Sequence, residues 1–193
     1  MSDWASDWRQ HFHRKVISSE LAVSPPWEYE PGDLIIEPGI AFGTGEHPTT
    51  HSCLEAISLW AEEGRACLDV GCGSGILGLA AAHLGMAVQG VDIESDAVKA
   101  AQENATKNDL QERTHFSTRP IQRIDTKFDV VVANLFAEVL VELAPDLLRV
   151  CGGRLALAGI LHDRAHGVRQ AFSSATMIRE KREGDWVSLW YQC

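Results

Sequence analysis

No apolar run in this sequence approaches the roughly 18 residues that a membrane-spanning helix needs. The amino end, Met1-Ser2-Asp3-Trp4, also lacks the basic-then-apolar pattern of a secretory leader. The expectation is a folded cytoplasmic protein with no membrane partner. Positive charge is scarce: 17 Lys and Arg stand against 27 Asp and Glu, a formal net charge of -10. That balance opposes direct binding to nucleic acid, whose backbone is held by cationic side chains. Cysteine is sparse and unpatterned. Cys53, Cys67, Cys72, Cys151 and Cys193 form an odd set with no C-x-x-C pair. Neither a disulfide framework nor a zinc site is suggested, and buried reduced thiols are expected. His83, His162 and His166 show no ligand-like grouping, so no metal is expected. Repeats and low-complexity tracts are missing as well. What remains is 193 residues, 45% hydrophobic and 23% charged, which is ordinary globular usage and excludes a disordered or collagen-like chain.

The chain divides by its text into a lead-in over 1–36 and a main domain over 37–193. Within the lead-in, Trp4, Trp8 and Phe12 recur four apart, which predicts a helix over Asp3–His13 with an aromatic face. Leu21–Val23 and Leu34–Ile36 read as short strands separated by turn-rich text. The segment Pro38–Thr50 is a loop rich in glycine and hydroxyls, with Thr49 or Thr50 capping a helix that runs to about Glu62 and turns Leu54, Ile57 and Ala61 inward.

Strands and helices then alternate. Strands are predicted at Ala66–Val70, Ala87–Asp92, Thr114–Ser117, Phe128–Ala133 and Arg154–Ala158. Helices are predicted at Ile76–Leu84, Ser95–Asn108, Phe136–Val150 with a kink or break at Pro145, and His162–Phe172. The Val-rich run Phe128–Ala133 suits a central strand buried on both faces. Met177–Arg182 and Trp186–Gln192 flank Glu183-Gly184-Asp185, a hairpin turn that adds two antiparallel strands. The pattern is that of an α/β protein: a doubly wound, mostly parallel seven-stranded sheet with a carboxyl-terminal antiparallel hairpin.

The main chemical signal is Leu68-Asp69-Val70-Gly71-Cys72-Gly73-Ser74-Gly75-Ile76, a strand ending in a glycine-rich turn that opens a helix. Glycines there let a ligand approach the backbone. The dinucleotide fingerprint places its third glycine at the sixth position, where this chain has Ile76, so a nicotinamide dehydrogenase is disfavoured. Asp69 is placed either to accept from an ammonium group or to organise the turn. Asp92, ending the next strand, can take both hydroxyls of a ribose, with a helix cap as the plainer alternative. An amino-acid-bearing nucleoside fits these residues.

Asp69, Gly71, Gly73 and Gly75 resemble the acid-and-glycine motif of the class I S-adenosylmethionine-dependent methyltransferases. Pro38-Gly39-Ile40-Ala41-Phe42-Gly43-Thr44-Gly45-Glu46-His47-Pro48-Thr49-Thr50 further resembles the signature of the bacterial methyltransferases of ribosomal large-subunit protein eleven, the PrmA family. Val132-Ala133-Asn134-Leu135-Phe136-Ala137 is similar to that family's strand-end Asn-Ile-Leu-Ala, and Asp7-Trp8 to Phe12-His13 resembles its linker helix. The resemblance implies S-adenosyl-L-methionine as cofactor and a protein amine, on a ribosomal protein or another lysine-bearing protein, as acceptor. It places Thr50 near the methionine carboxylate, Gly71 against the amino-acid portion, Asp92 on the ribose and Asn134 between cofactor and acceptor. The family carries a recognition domain ahead of the linker, and Met1 stands almost at the linker helix, so that module is expected to be missing. Phe136, in place of a smaller aliphatic residue, is expected to narrow or reshape the acceptor channel.

For methyl transfer the oxygens of Asn134 and Leu135 are candidates to receive the hydrogens of the acceptor amine and aim its lone pair. His47 and Glu46 are candidates to line the entrance or relay a proton, with a role for His47 in shaping the loop as the alternative. A small-molecule N-methyltransferase and a non-catalytic cofactor-binding protein that docks through Trp4, Trp8 and Phe12 remain competing functions. The oligomeric state is not legible.

Overall fold

The computed structural model describes residues 12–37 and 47–193. Three short strands, β1 (Lys15–Val16), β2 (Ala22–Ser24) and β3 (Leu34–Ile35), form a small sheet ordered β1-β2-β3. They precede helix α1 (Pro48–Trp60), β4 (Ala66–Val70), α2 (Ile76–His83), β5 (Ala87–Val91), α3 (Ser95–Lys107), β6 (Thr114–Ser117) and β7 (Phe128–Asn134). Then follow α4 (Ala137–Val150), β8 (Cys151–Leu161), α5 (Ala165–Ala171), β9 (Thr176–Glu183) and β10 (Trp186–Gln192).

The main sheet has seven strands in the order β6-β5-β4-β7-β8-β10-β9. The first five pair in parallel, and the β9–β10 hairpin joins them through the antiparallel β8–β10 ladder. Strand order reverses between β4 and β7. In an open α/β sheet, that reversal leaves a crevice beyond the carboxyl ends of the two strands, where ligands bind. Here those ends carry Gly71 and Asn134.

Alternation along β7 builds the two layers. Val130 and Val132 face the core under α1, α2 and α3, while Val131 and Ala133 face the core under α4 and α5. On β8 the first face carries Ala156 and Ala158 and the second Leu155 and Leu157, all fully buried. The small residues let α1 lie close to β8. Because α2 is apolar all round, residues 76–82 are buried on every side. Leu21, Val23, Leu34 and Ile36 join the same core as α1 and α2, so the lead-in sheet packs as part of the main body.

Several expectations are revised. The aromatic helix over Asp3–His13 lies outside the described residues, apart from Phe12 and His13, which are not helical. The strand Lys15–Val16 was hidden in a two-residue pairing too short for a periodicity signal. Helix α1 ends at Trp60, with Ala61 half-buried as its C-cap. Pro145 sits inside the continuous helix α4. Strand β8 runs for 11 residues where only its centre was anticipated, because its Gly-rich start pairs with β7 and its end with β10.

The cysteines also divide: Cys53, Cys67 and Cys72 are buried thiols, whereas Cys151 and Cys193 are bonded, with Cα atoms 6.1 Å apart. The antiparallel β8–β10 ladder brings them together, and the Cys193 N–H donates to the Gly153 carbonyl at 2.9 Å. Among the described residues no helix is long and apolar enough to cross a membrane.

A part-buried ion pair between Arg14 and Asp33 ties β1 to the turn before β3. The Arg14 guanidinium donates Nε to Asp33 Oδ2 at 2.7 Å and Nη2 to Oδ1 at 2.9 Å, and the Ser24 hydroxyl and Glu30 N–H also donate to Asp33. These donors lower the Asp33 carboxyl to about 2, Arg14 first among them. A depressed acid stabilises the fold above its unfolded value and loses that contribution as pH falls through its folded one. Asp33→Asn should therefore cost about 1–2 kcal/mol at neutral pH, the gap to wild type closing below about pH 4. Urea unfolding at two pH values measures this, and an undiminished gap in acid would contradict it.

Candidate active site

The turn after β4 is shaped by positive-φ glycines: Gly71 at 74°, Gly73 at 52° and Gly75 at 83°. Side chains rarely adopt this region, and glycine enters it freely. Gly75 is the N-cap of α2, and a Cβ on it would lie 2.8 Å from that of Ala101. A Cβ on Gly71 would run into the side chain of Leu135.

The amide hydrogens of this turn point inward. Gly71 and Cys72 N–H donate to the Val91 carbonyl at 2.8 and 3.1 Å, Gly73 N–H to Asp92 Oδ2 at 2.9 Å, and Gly75 N–H to the Cys72 carbonyl at 2.7 Å. A diphosphate is held by N–H groups aimed at it. Four N–H groups of this turn are engaged within the protein, which opposes a dinucleotide.

Acceptors dominate instead. Asp92 is half-buried, its Oδ2 on Gly73 and its Oδ1 on the Glu94 N–H at 3.0 Å. An ionised carboxylate has about four lone-pair sites. Each oxygen therefore keeps capacity for a hydroxyl, and the Glu94 contact places Asp92 just ahead of the α3 N-cap rather than at it. Beside it, Ile93 is 91% exposed.

Asp69 lies deeper. It is fully buried, and its Oδ2 accepts from the Gly78 N–H at 2.8 Å, tying β4 to the first turns of α2. Burial pushes its carboxyl up to about 7, against the pull of the Gly78 N–H and with the help of the Asp92 charge. Its Oδ1 has no partner among the described residues. Of the two roles open to Asp69, the geometry supplies the contact that organises the turn, and leaves one orphan acceptor behind the glycines.

Across the crevice, the Asn134 Nδ2 at the end of β7 donates to Thr50 Oγ1 at 3.3 Å. This orients the amide so that Oδ1 is its remaining acceptor. Thr50 is buried in the first turn of α1. The expected cap, Thr49 or Thr50, is corrected to His47, whose Nδ1 accepts from the Thr49 N–H at 3.4 Å and lies 2.7 Å from Thr49 Oγ1. Pro48 fills N1, as its fixed φ allows, so both threonines fall inside the helix. Burial lowers the His47 imidazole below its usual range. Glu46 and the segment 38–46 lie outside the described residues.

The structure thus gathers Asp69, Gly71, Gly73, Gly75 and Asp92 on one side of the strand reversal, with Thr50, Asn134, Leu135 and His47 facing from β7 and α1. Two residues escaped sequence reasoning. Gly159 has a φ of 84°, and a Cβ there would strike the Leu135 carbonyl oxygen and lie 2.8 Å from its carbon. The Leu135 N–H donates to Ala158 at 3.1 Å, so β8 seats Leu135 by backbone contact. Trp186 meets the His47 ring edge-on, centroids 4.7 Å apart at 77°. An Ala-Gly pair late in a strand was the only available sign of the first, and nothing local marked the second. Phe136, expected to narrow a channel, is 71% exposed on the rim. It stands at the N-cap of α4, where the chain has already left the sheet.

Gly159→Ala should destabilise the protein by about 2 kcal/mol, from a strained φ with a backbone clash added. Gly167→Ala in α5, where a Cβ meets nothing within 4 Å, should stabilise by about 0.5–1 kcal/mol. Denaturant midpoints of the two variants measure the difference, and equal shifts would refute the seating of Leu135.

The model of the family described as ribosomal protein L11 methyltransferase (PrmA) matches residues 1–193. A ribosomal protein L11 methyltransferase of Geobacter metallireducens is 47% identical over 200 residues, and one of Geobacter sulfurreducens is 46% identical over 200. Each match takes in 98% of this chain, and the chain spans 66% of each relative's length. A solved structure of a ribosomal protein L11 methylase from Lactobacillus delbrueckii subsp. bulgaricus superposes with a TM-score of 0.84 at 32% identity, covering 93% of this chain and 98% of that one. By sequence and by fold together, the chain belongs to the ribosomal protein L11 methyltransferase (PrmA) family.

Proposed function

We propose that this chain is a methyltransferase domain that uses S-adenosyl-L-methionine to methylate an amine of a protein, with a ribosomal protein as the leading acceptor. The observation that carries this reading is the inward engagement of the turn amides beside acceptor-bearing Asp92. Such a crevice suits a ligand rich in hydroxyl and ammonium donors. It does not suit a diphosphate.

S-adenosylmethionine supplies, when bound, a methyl group made electrophilic by its sulfonium. Asp92 takes the ribose hydroxyls, and exposed Ile93 offers an apolar face to the base. Gly71 admits the amino-acid portion against its backbone, with Gly73 and Gly75 holding the turn open. Thr50, at the amino end of α1, lies where the helix dipole favours a carboxylate.

The acceptor must arrive neutral. For a lysine of pKa near 10.4, deprotonation at pH 7 costs about 4.6 kcal/mol. Asn134 Oδ1 and the Leu135 carbonyl receive the amine hydrogens and direct its lone pair, and a partly desolvated crevice disfavours the ammonium. His47 either lines the entrance and relays the released proton or acts only as the cap of α1. Phe136 and Val139, exposed on the rim at 71% and 37%, favour a macromolecular acceptor over a small enclosed one. Residues 37–193 form the catalytic unit in this reading, with 12–36 as its packed lead-in.

Titration with S-adenosylhomocysteine and with NADH should give binding to the first alone, and Asp92→Asn should weaken it by about tenfold or more, the range of a lost charged hydrogen bond. NADH binding of equal strength would overturn the assignment. Label from S-adenosylmethionine should enter a small ribosomal protein in a bacterial extract. Asn134→Ala should lower kcat by about a hundredfold with cofactor affinity little changed. Cofactor binding without transfer to any protein would overturn the protein-acceptor reading, and undiminished turnover by Asn134→Ala would remove that residue's role.

A further inference from the structure

Asn104 lies on α3, outside the crevice, yet only 2% of it is exposed. A buried primary amide is costly unless its donors and acceptors are matched. Here each end meets a backbone group from a different part of the chain. Nδ2 donates to the Ser74 carbonyl at 3.0 Å, and Oδ1 accepts from the Glu37 N–H at 3.1 Å.

The Ser74 carbonyl belongs to the glycine-rich turn, one residue ahead of the α2 N-cap Gly75. The nearby Gly78 N–H is given to Asp69, so α2 does not hold that carbonyl through Gly78. Asn104 supplies the donor from another helix. Three residues earlier on the same face of α3, Ala101 packs against Gly75 so closely that a Cβ there would be 2.8 Å away. The turn therefore rests on α3 at two points, one by packing and one by a directed hydrogen bond.

The other end of the amide is fixed as firmly. Glu37 follows β3, and its carboxylate pairs with Lys107 at 2.6 Å. Asn108 holds Ile35 by both backbone groups, at 2.7 and 2.6 Å, and donates to the Asn104 carbonyl at 2.8 Å. Of these α3 side chains, Asn104 alone joins the anchored lead-in to the glycine-rich turn.

We infer that Asn104 is a positioning residue for the cofactor site: its amide, fixed at one end by Glu37, holds the Ser74 carbonyl and so sets the Gly71–Gly75 backbone. The cofactor consequence rests on the reading proposed above, but the positioning itself is measurable without any ligand.

The test is native-state hydrogen exchange on the full chain, with S-adenosylhomocysteine binding and steady-state kinetics alongside. Asn104→Ala should speed exchange across residues 71–78 several-fold. It should also weaken cofactor binding and raise its KM by about tenfold, leaving kcat at saturating cofactor within about twofold. Asn104→Ser takes the place of alanine if that variant does not fold. Asn108→Ala releases Ile35 without touching Ser74, and should speed exchange at residues 34–37 while leaving 71–78 at the wild-type rate.

Wild-type exchange across 71–78 in Asn104→Ala would overturn the inference. So would equal loosening of the turn by Asn108→Ala. If wild type fails to bind S-adenosylhomocysteine while Asn104→Ala still loosens the turn, the functional reading falls and the positioning role stands.

Discussion

Leu135 sits between two glycines, and the geometry of the crevice depends on that close approach. Its side chain occupies the space a Cβ on Gly71 would need, and its carbonyl occupies the space a Cβ on Gly159 would need. Strands β4, β7 and β8 are thereby drawn together near their carboxyl ends. Close-packed interiors resist even one added methyl. The point where the strand order reverses is thus held rigid by absences of side chain, and Asn134 and Leu135 are presented from backbone that cannot easily shift.

Electrostatics give that rigid crevice its chemical preference. A glycine-rich turn opening a helix commonly gathers N–H groups for phosphate. In this chain Val91, Asp92 and Cys72 receive those N–H groups, and what faces the ligand is carboxylate and carbonyl oxygen. Asp69, fully buried with its carboxyl raised to about 7, lies behind the turn and holds it through the Gly78 N–H. Asn134 turns its amide nitrogen to Thr50, which leaves Oδ1 as its remaining acceptor. The donor–acceptor inventory, more than the fold, separates this site from a dinucleotide site on a similar sheet.

Much of this was legible in the residues. The continuous Val-rich run Phe128–Ala133 marked β7, the Ala66–Val70 strand and its glycines marked the turn, and Asp92 followed from its place at a strand end. Gly159 and Trp186 were not legible, because each acts through a neighbour more than twenty residues distant in sequence. The cap of α1 was misjudged for a related reason: two threonines resemble caps locally, but Pro48 at N1 forces the cap onto His47. The Cys151–Cys193 bond was invisible because only the β8–β10 register brings those ends together.

By itself the sequence determined the order of strands and helices, the parallel character of the sheet, the acid-and-glycine turn and the resemblance to a methyltransferase family, all of which are local periodicities or contiguous motifs. Tertiary structure alone decided which end of the Asn134 amide meets Thr50, why Leu135 needs glycine on two sides and how Asn104 ties the lead-in to the turn. Those are contacts between segments remote in the chain, and local propensity carries no information about which distant backbone group a side chain will meet.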